Sequence, residues 1–202
     1  MGDTMDGKVR AVIFDIGGVI TRFPDSEYFT YLANLGGKKP GFVRRVIGAE
    51  IPRLERGGMR ISEFERTVSR KVGISPKDVQ WYQYYAKFVT IDTDMTDLIE
   101  QLHKDYVTAY ITNIDSSKYM LFKKMLGKEM FDYRFASCDL HLRKPDPRIY
   151  RTVLARMGLS PGESVFIDNQ IENVVGAREV GMYSILYKSR RRLDIELSKI
   201  LE

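Results

Sequence analysis

Residues 9–15, VRAVIFD, form an unbroken apolar and β-branched run that ends in an acid and stops at Gly17-Gly18. A run without alternation is the pattern of a strand buried on both faces, which in turn requires helices above and below a sheet. Similar runs recur at Val107–Thr112 (VTAYIT), Ser164–Asp168 (SVFID) and Tyr183–Tyr187 (YSILY), with helical patterns between them. The alternation predicts an α/β fold built on a doubly wound, Rossmann-like parallel sheet. Met95, Leu98, Ile99 and Leu102 mark one connecting helix by their spacing. Pro147 suits the first turn of another that runs to about Met157.

In such sheets ligands sit beyond the carboxyl ends of the strands, so Asp15, Thr112 and Asp168 are the residues to inspect. A carboxylate beside a glycine turn is also placed next to backbone N–H groups able to hold an anion, which makes Asp15 a candidate nucleophile. An Asp in that position is equally able to serve as a turn or helix cap.

From Thr21 to about Thr90 no buried-strand signal appears. The pattern is helical, with Ser62-x-x-Glu65 read as a capping box and Ser75-Pro76 as a further helix start. The expected division is a core of residues 1–20 and 91–202 with a helical insertion over 21–90. The aromatic group Trp81, Tyr82, Tyr84, Tyr85 and Phe88 is expected to pack the small core of that insertion. A chain of 202 residues suits one α/β core with such an addition.

Composition narrows the class. With 44% hydrophobic and 29% charged residues the chain is expected to fold. No apolar run approaches the roughly 20 residues that span a bilayer, and the N-terminus MGDTMDGKVR has acids where a signal peptide is basic and then apolar. A single cysteine, Cys138, makes neither an internal disulfide nor a thiolate zinc site, so a cytoplasmic location is expected. The net charge of +5, with Lys188, Arg190, Arg191 and Arg192 grouped together, is read as a solvated face and not as a nucleic-acid site.

Four segments in order carry a resemblance. FDIGGVI at 14–20 resembles the first motif of the haloacid dehalogenase superfamily, ITN at 111–113 the second, RKPDPRIY at 143–150 the third and VFIDNQIEN at 165–173 the fourth. The insertion after the first motif is similar in position to the family's small C1 cap. The nearest flavour is that of the sugar-phosphate and soluble-epoxide-hydrolase-like phosphatases. The resemblance implies that Asp15 attacks phosphorus, that Thr112 donates its hydroxyl to a transferring oxygen, and that Lys144 sets an ammonium against nucleophile and phosphoryl oxygens. It gives Asn113 and Gly18 to substrate binding. Tyr150 either packs under the site or touches substrate. Asp15, Gly17, Asp168 and Asn169 are given to a magnesium ion. Pro145 and Pro147 would stiffen the third-motif loop.

Two departures stand out. Gly17 occupies the position of the family's usual second Asp, the general acid and base. In the fourth motif the metal Asp falls on Asn169, whereas a shift of one residue would pair Asp168 with Glu172. The implied activity is a magnesium-dependent phosphatase acting on a small phosphorylated metabolite through an aspartyl-phosphate. Two alternatives remain: a degenerate relative that binds a phosphorylated ligand without turnover, and a metal-independent 2-haloacid dehalogenase. Arg22, Arg44, Arg45, Arg53, Arg56 and Arg60 are candidate anion ligands in the insertion. Oligomeric state and substrate identity are not readable from the chain.

Overall fold

The computed structural model describes residues 8–127 and 129–201. The acidic N-terminal stretch 1–7 lies outside them. Strand β1 (Ala11–Phe14) is followed by β2 (Thr21–Arg22) and then helices α1 (Asp25–Gly36), α2 (Pro40–Glu55), α3 (Ile61–Val72), α4 (Pro76–Val79) and α5 (Trp81–Phe88). The chain re-enters the core through β3 (Thr90–Ile91) and α6 (Thr93–Leu102). It continues as β4 (Val107–Thr112), α7 (Ser116–Met125), β5 (Tyr133–Ala136), α8 (Ser137–Leu140), α9 (Pro147–Met157), β6 (Ser164–Asp168), α10 (Ile171–Val180), β7 (Tyr183–Leu186) and α11 (Arg190–Leu201).

The five-stranded sheet has the order β5-β4-β1-β6-β7, and every pairing in it is parallel. All four residues of β1 are fully buried, because alternate side chains serve two different cores. Val12 and Phe14 pack with Met95 and Ile99 of α6, Phe122 of α7 and Leu193 of α11. Ile13 packs on the other face with Phe166, with Ile149 and Val153 of α9 and with Ala177 of α10. The strand order reverses at β1, with β4 on one side and β6 on the other. The carboxyl ends of those three strands therefore flank the crevice where such sheets bind ligands.

Helices α1 to α5 gather a separate apolar cluster around Tyr28, Leu32, Val43, Ile47, Phe64, Val68 and Trp81. The short antiparallel pair β2–β3 joins the beginning and end of this helical segment. Ser62 does not cap α3: the helix starts at Ile61 after Arg60, and no side chain caps it. Glu65, one turn along, instead accepts a 3.1 Å bond from the Trp81 backbone N–H. Of the aromatic group, Trp81 joins the helical cluster, whereas Tyr85 packs with the sheet core.

Among the described residues no helix is long and apolar enough to cross a membrane. The basic group at the start of α11 is partly paired along its own helix, Arg190 with Asp194 and Arg192 with Glu196. Burial, with Asp139 beside it, pushes the Cys138 thiol up to about 12.

Candidate active site

Asp15 follows β1 and its main-chain N–H donates to Ile167 of the neighbouring β6, so the turn begins at the sheet edge. Thr112 ends β4 and Asp168 ends β6, which brings the three strand-end residues to one edge. Lys144 reaches this edge from the loop before α9. Its ammonium donates to Asp15 Oδ1 and to Asp168 Oδ2, both at 2.7 Å, with Lys144 only 1% exposed and Asp15 only 5%. Burial pushes the Asp15 carboxyl up and Lys144 pulls it back, leaving it at about 7. Burial opposes the charge on Lys144, but the two carboxylates outweigh it and its pKa is raised.

The loop that aims Lys144 is held from several sides. Asn113 accepts from the Lys144 backbone N–H at 2.9 Å and donates to its carbonyl at 3.0 Å. Its amide is thus engaged in positioning Lys144. The Asp146 side chain caps α9 by accepting from the Arg148 N–H, with Pro147 in the first turn. A Cβ on Gly176 of α10 would lie 2.7 Å from the Pro145 carbonyl, so only glycine lets that helix approach the loop this closely. Tyr150 packs beneath, edge-on to Phe166, and donates to the Asn173 carbonyl.

The fourth motif takes one register. Asp168 is fully buried and both of its oxygens are engaged: Oδ1 accepts from the Gln170 N–H, and Oδ2 accepts from Lys144 and from the Asn173 amide. Asp168 thus anchors Lys144 from the end of β6. Glu172 is exposed, because the first turn of α10 sends it outward and Asn173 inward, so the Asp168–Glu172 pair does not form. Asn169 lies instead beside the first-motif turn. Gly18 has φ +80°, and a Cβ there would be 2.1 Å from Asn169 Nδ2. The Gly18 N–H donates to the Thr21 carbonyl within the turn, and Gly18 lines the cavity over this edge. Gly17 has no atom within 4 Å of its would-be Cβ, and among the described residues its carbonyl accepts no hydrogen bond.

A cavity of about 410 Å³ opens over this edge. Gly17, Gly18, Thr112, Asn113 and Asn169 line its core side; Phe23, Ile51, Leu54, Trp81 and Tyr85 line the helical side. Asp15 lies next to lining residues without lining the cavity itself. Glu55 of α2 closes one flank by pairing with Arg143 at 2.6 Å, and Ser137 donates to the Glu55 carbonyl at 2.6 Å. Of the six arginines singled out in the sequence, only Arg22 lines the cavity, and it already donates to the Gly18 carbonyl and to Asp92. Arg53 is paired with Glu63 at the surface.

Sequence reasoning missed three residues here. Asn173, within the fourth motif, donates its amide to Asp168 Oδ2 at 2.9 Å. Asp115 caps α7 and accepts from Trp81 Nε1 at 3.0 Å, which ties the helical segment to the sheet core. Lys118, one turn further on, is buried although lysine spacing on a helix signals a solvated face. No local pattern marks either buried residue, because their burial depends on the distant α5.

Among the described residues no group of three or more His, Cys, Asp or Glu could hold a metal ion. What remains is one carboxylate (Asp15), one unengaged carbonyl (Gly17) and one amide (Asn169). That set fits a hard cation that keeps water and shares substrate oxygens, as magnesium does, and not a dedicated protein cage.

The chain is 29% identical over 197 residues to sesquiterpene phosphatase astK of Aspergillus oryzae, covering 95% of this chain and 96% of that protein. It is 33% identical over 102 residues to bifunctional epoxide hydrolase 2 of Rattus norvegicus, covering 48% of this chain and 18% of that longer protein. Its fold superimposes with a TM-score of 0.74 on a haloacid dehalogenase family enzyme of Bacteroides thetaiotaomicron solved with magnesium and inorganic phosphate, at 22% identity over 90% of this chain and 96% of the other. The sequence pattern of the haloacid dehalogenase-like hydrolases matches residues 9–181, and the chain belongs to that family.

Proposed function

We propose that this hydrolase is a phosphatase of the cytoplasm that transfers the phosphoryl group of a small phosphorylated metabolite to Asp15 and then to water. The observation that carries this reading is the buried Asp15–Lys144–Asp168 arrangement at the sheet edge beside an open cavity. In the first step an Asp15 oxygen forms a bond to phosphorus as the bond to the ester oxygen breaks. The Lys144 ammonium, fixed by Asp168 and by the Asn113 clamp on its backbone, faces the charge that develops on the phosphoryl oxygens. Thr112, the last residue of β4, donates its hydroxyl to one of them. In the second step water attacks phosphorus, releases inorganic phosphate and restores Asp15. The alkoxide takes its proton from solvent, because no side chain at residue 17 supplies one.

Magnesium would be held by the Asp15 carboxylate, the Gly17 carbonyl and the Asn169 amide, and when bound it neutralises phosphoryl charge. The magnesium and phosphate of the Bacteroides enzyme, and the phosphatase name of the Aspergillus relative, support the reading.

The bare Gly17 and neutral Asn169 also favour a second reading, a relative that binds a phosphorylated ligand without turnover. Release of inorganic phosphate from simple phosphoesters, with and without magnesium, separates the two. Release that is lost in Asp15→Asn supports the phosphatase; phosphate binding without release supports the binder. Halide release from a 2-haloacid without added metal would assign dehalogenase chemistry instead.

A further inference from the structure

The cavity holds a second buried cation that the proposed phosphoryl transfer does not use. Lys118 is 8% exposed and lines the cavity, and its ammonium lies 3.4 Å from the Trp81 ring centroid, 4.2 Å from Tyr85 and 5.7 Å from Phe23. These rings come from the helical segment and its entry, so the cation is held between the two parts of the fold. Among the described residues Lys118 Nζ makes no hydrogen bond and no ion pair. Among the described residues every fully enclosed side-chain polar atom does have a partner. The Lys118 ammonium, without such a partner, is therefore not fully enclosed and keeps access to the cavity that the residue lines.

The surrounding acids do not satisfy it. Asp115 of the α7 cap, Asp25 of α1 and Glu55 of α2 are the charged groups that act on Lys118. Glu55 is spent on Arg143, and Asp115 accepts from Trp81 Nε1, from the Ser117 N–H and hydroxyl, and from the Lys118 backbone. Asp25 is exposed at the start of α1. Burial pulls the Lys118 ammonium down and these carboxylates pull it back up, none of them in ion-pair contact with it. The other lining cation, Arg22, is already engaged. An ammonium walled by aromatic faces and without an oxygen partner is arranged to receive an anionic oxygen from the cavity side.

We propose that Lys118 sets substrate specificity by binding a second anionic group, a carboxylate or a further phosphate, on the part of the substrate that leaves. This rests on the phosphatase reading of the site. The cavity volume is in the range of small-molecule sites, enough for a phosphoester with a short body between its two charges.

The test is calorimetric binding, with magnesium present, of a homologous series of ω-phosphonocarboxylates and of the matching alkylphosphonates. The wild-type protein is expected to bind at least one phosphonocarboxylate roughly tenfold or more tightly than its partner, the value of a charge-assisted hydrogen bond. Lys118→Met is expected to bring that ratio close to one. Alkylphosphonate binding with no wild-type preference anywhere in the series would overturn the inference and leave the phosphatase reading standing. A preference that persists in Lys118→Met would also overturn it. Absence of any phosphonate binding would overturn the phosphatase reading, and this proposal with it. The wild-type comparison needs no variant to fold. A series of bisphosphonates in the same assay separates a second phosphate from a carboxylate as the preferred group.

Discussion

The Lys144 ammonium stands 2.7 Å from Asp15 Oδ1 in a site where both side chains are almost wholly buried. The same ammonium is shared with Asp168 at the same distance, so one cation holds two carboxylates out of water. Removing it leaves two buried acids without a counterion. Lys144→Ala should therefore lose about 3–5 kcal/mol of folding stability as well as turnover. Chemical denaturation checks this, and a variant as stable as wild type would show that the pair carries no such weight.

Gly17 leaves open space where the family's usual acid would stand, and its backbone is outside the left-handed region. Gly17→Asp should fold normally and should speed hydrolysis of alkyl phosphates by about 10²–10⁴, the range typical of general acid catalysis. Aryl phosphates, whose leaving groups need less protonation, should gain less. Steady-state rates on a matched alkyl and aryl pair test the idea, and an equal gain on both would refute it.

Asn169 faces the first-motif turn, whereas Asp168 is engaged on both oxygens. Asn169→Asp should raise magnesium affinity at least several-fold, because a hard cation prefers anionic oxygen to an amide dipole. Glu172→Gln should leave it unchanged, since that side chain is exposed. Titration of magnesium into both variants in the presence of phosphate would decide it; a loss confined to Glu172→Gln would restore the other register.

Burial pulls the Lys118 ammonium down to about 8, against the pull of Asp115, Asp25 and Glu55. Its folded pKa thus lies below the unfolded value of 10.5, so the unfolded chain binds more protons across that interval. The contribution of Lys118 to stability should rise as pH increases from about 8 toward 10.5. Lys118→Met, free of the buried charge, should be at least as stable as wild type at neutral pH and should lose its advantage above pH 8. Thermal midpoints of both proteins across pH test this; a large loss of stability at neutral pH would make the lysine a structural residue.

The buried parallel strands were legible because burial on both faces removes alternation: Val107–Thr112 and Ser164–Asp168 have the bounds read from the sequence. The β5 strand, Tyr133–Ala136, was not, because it lies at the sheet edge and its first residues are open to solvent. The two-residue strands β2 and β3 are too short to leave a pattern. Within the candidate site, Asp15 and Lys144 stood out through motif order. The engaged oxygens of Asp168, the Asn113 clamp and the aromatic enclosure of Lys118 did not, since each depends on segments far apart in the chain. The exposure of Glu172 was undecided for the same reason: it follows from where α10 begins.

If Asp15 carries the phosphoryl group during turnover, a peptide map by mass spectrometry of the protein acid-quenched while it hydrolyses a phosphoester shows it directly. One phosphoryl group is expected on the peptide containing Asp15, absent from Asp15→Asn along with all phosphate release. Hydrolysis by the wild-type protein with no phosphorylated peptide, or undiminished hydrolysis by Asp15→Asn, would contradict it.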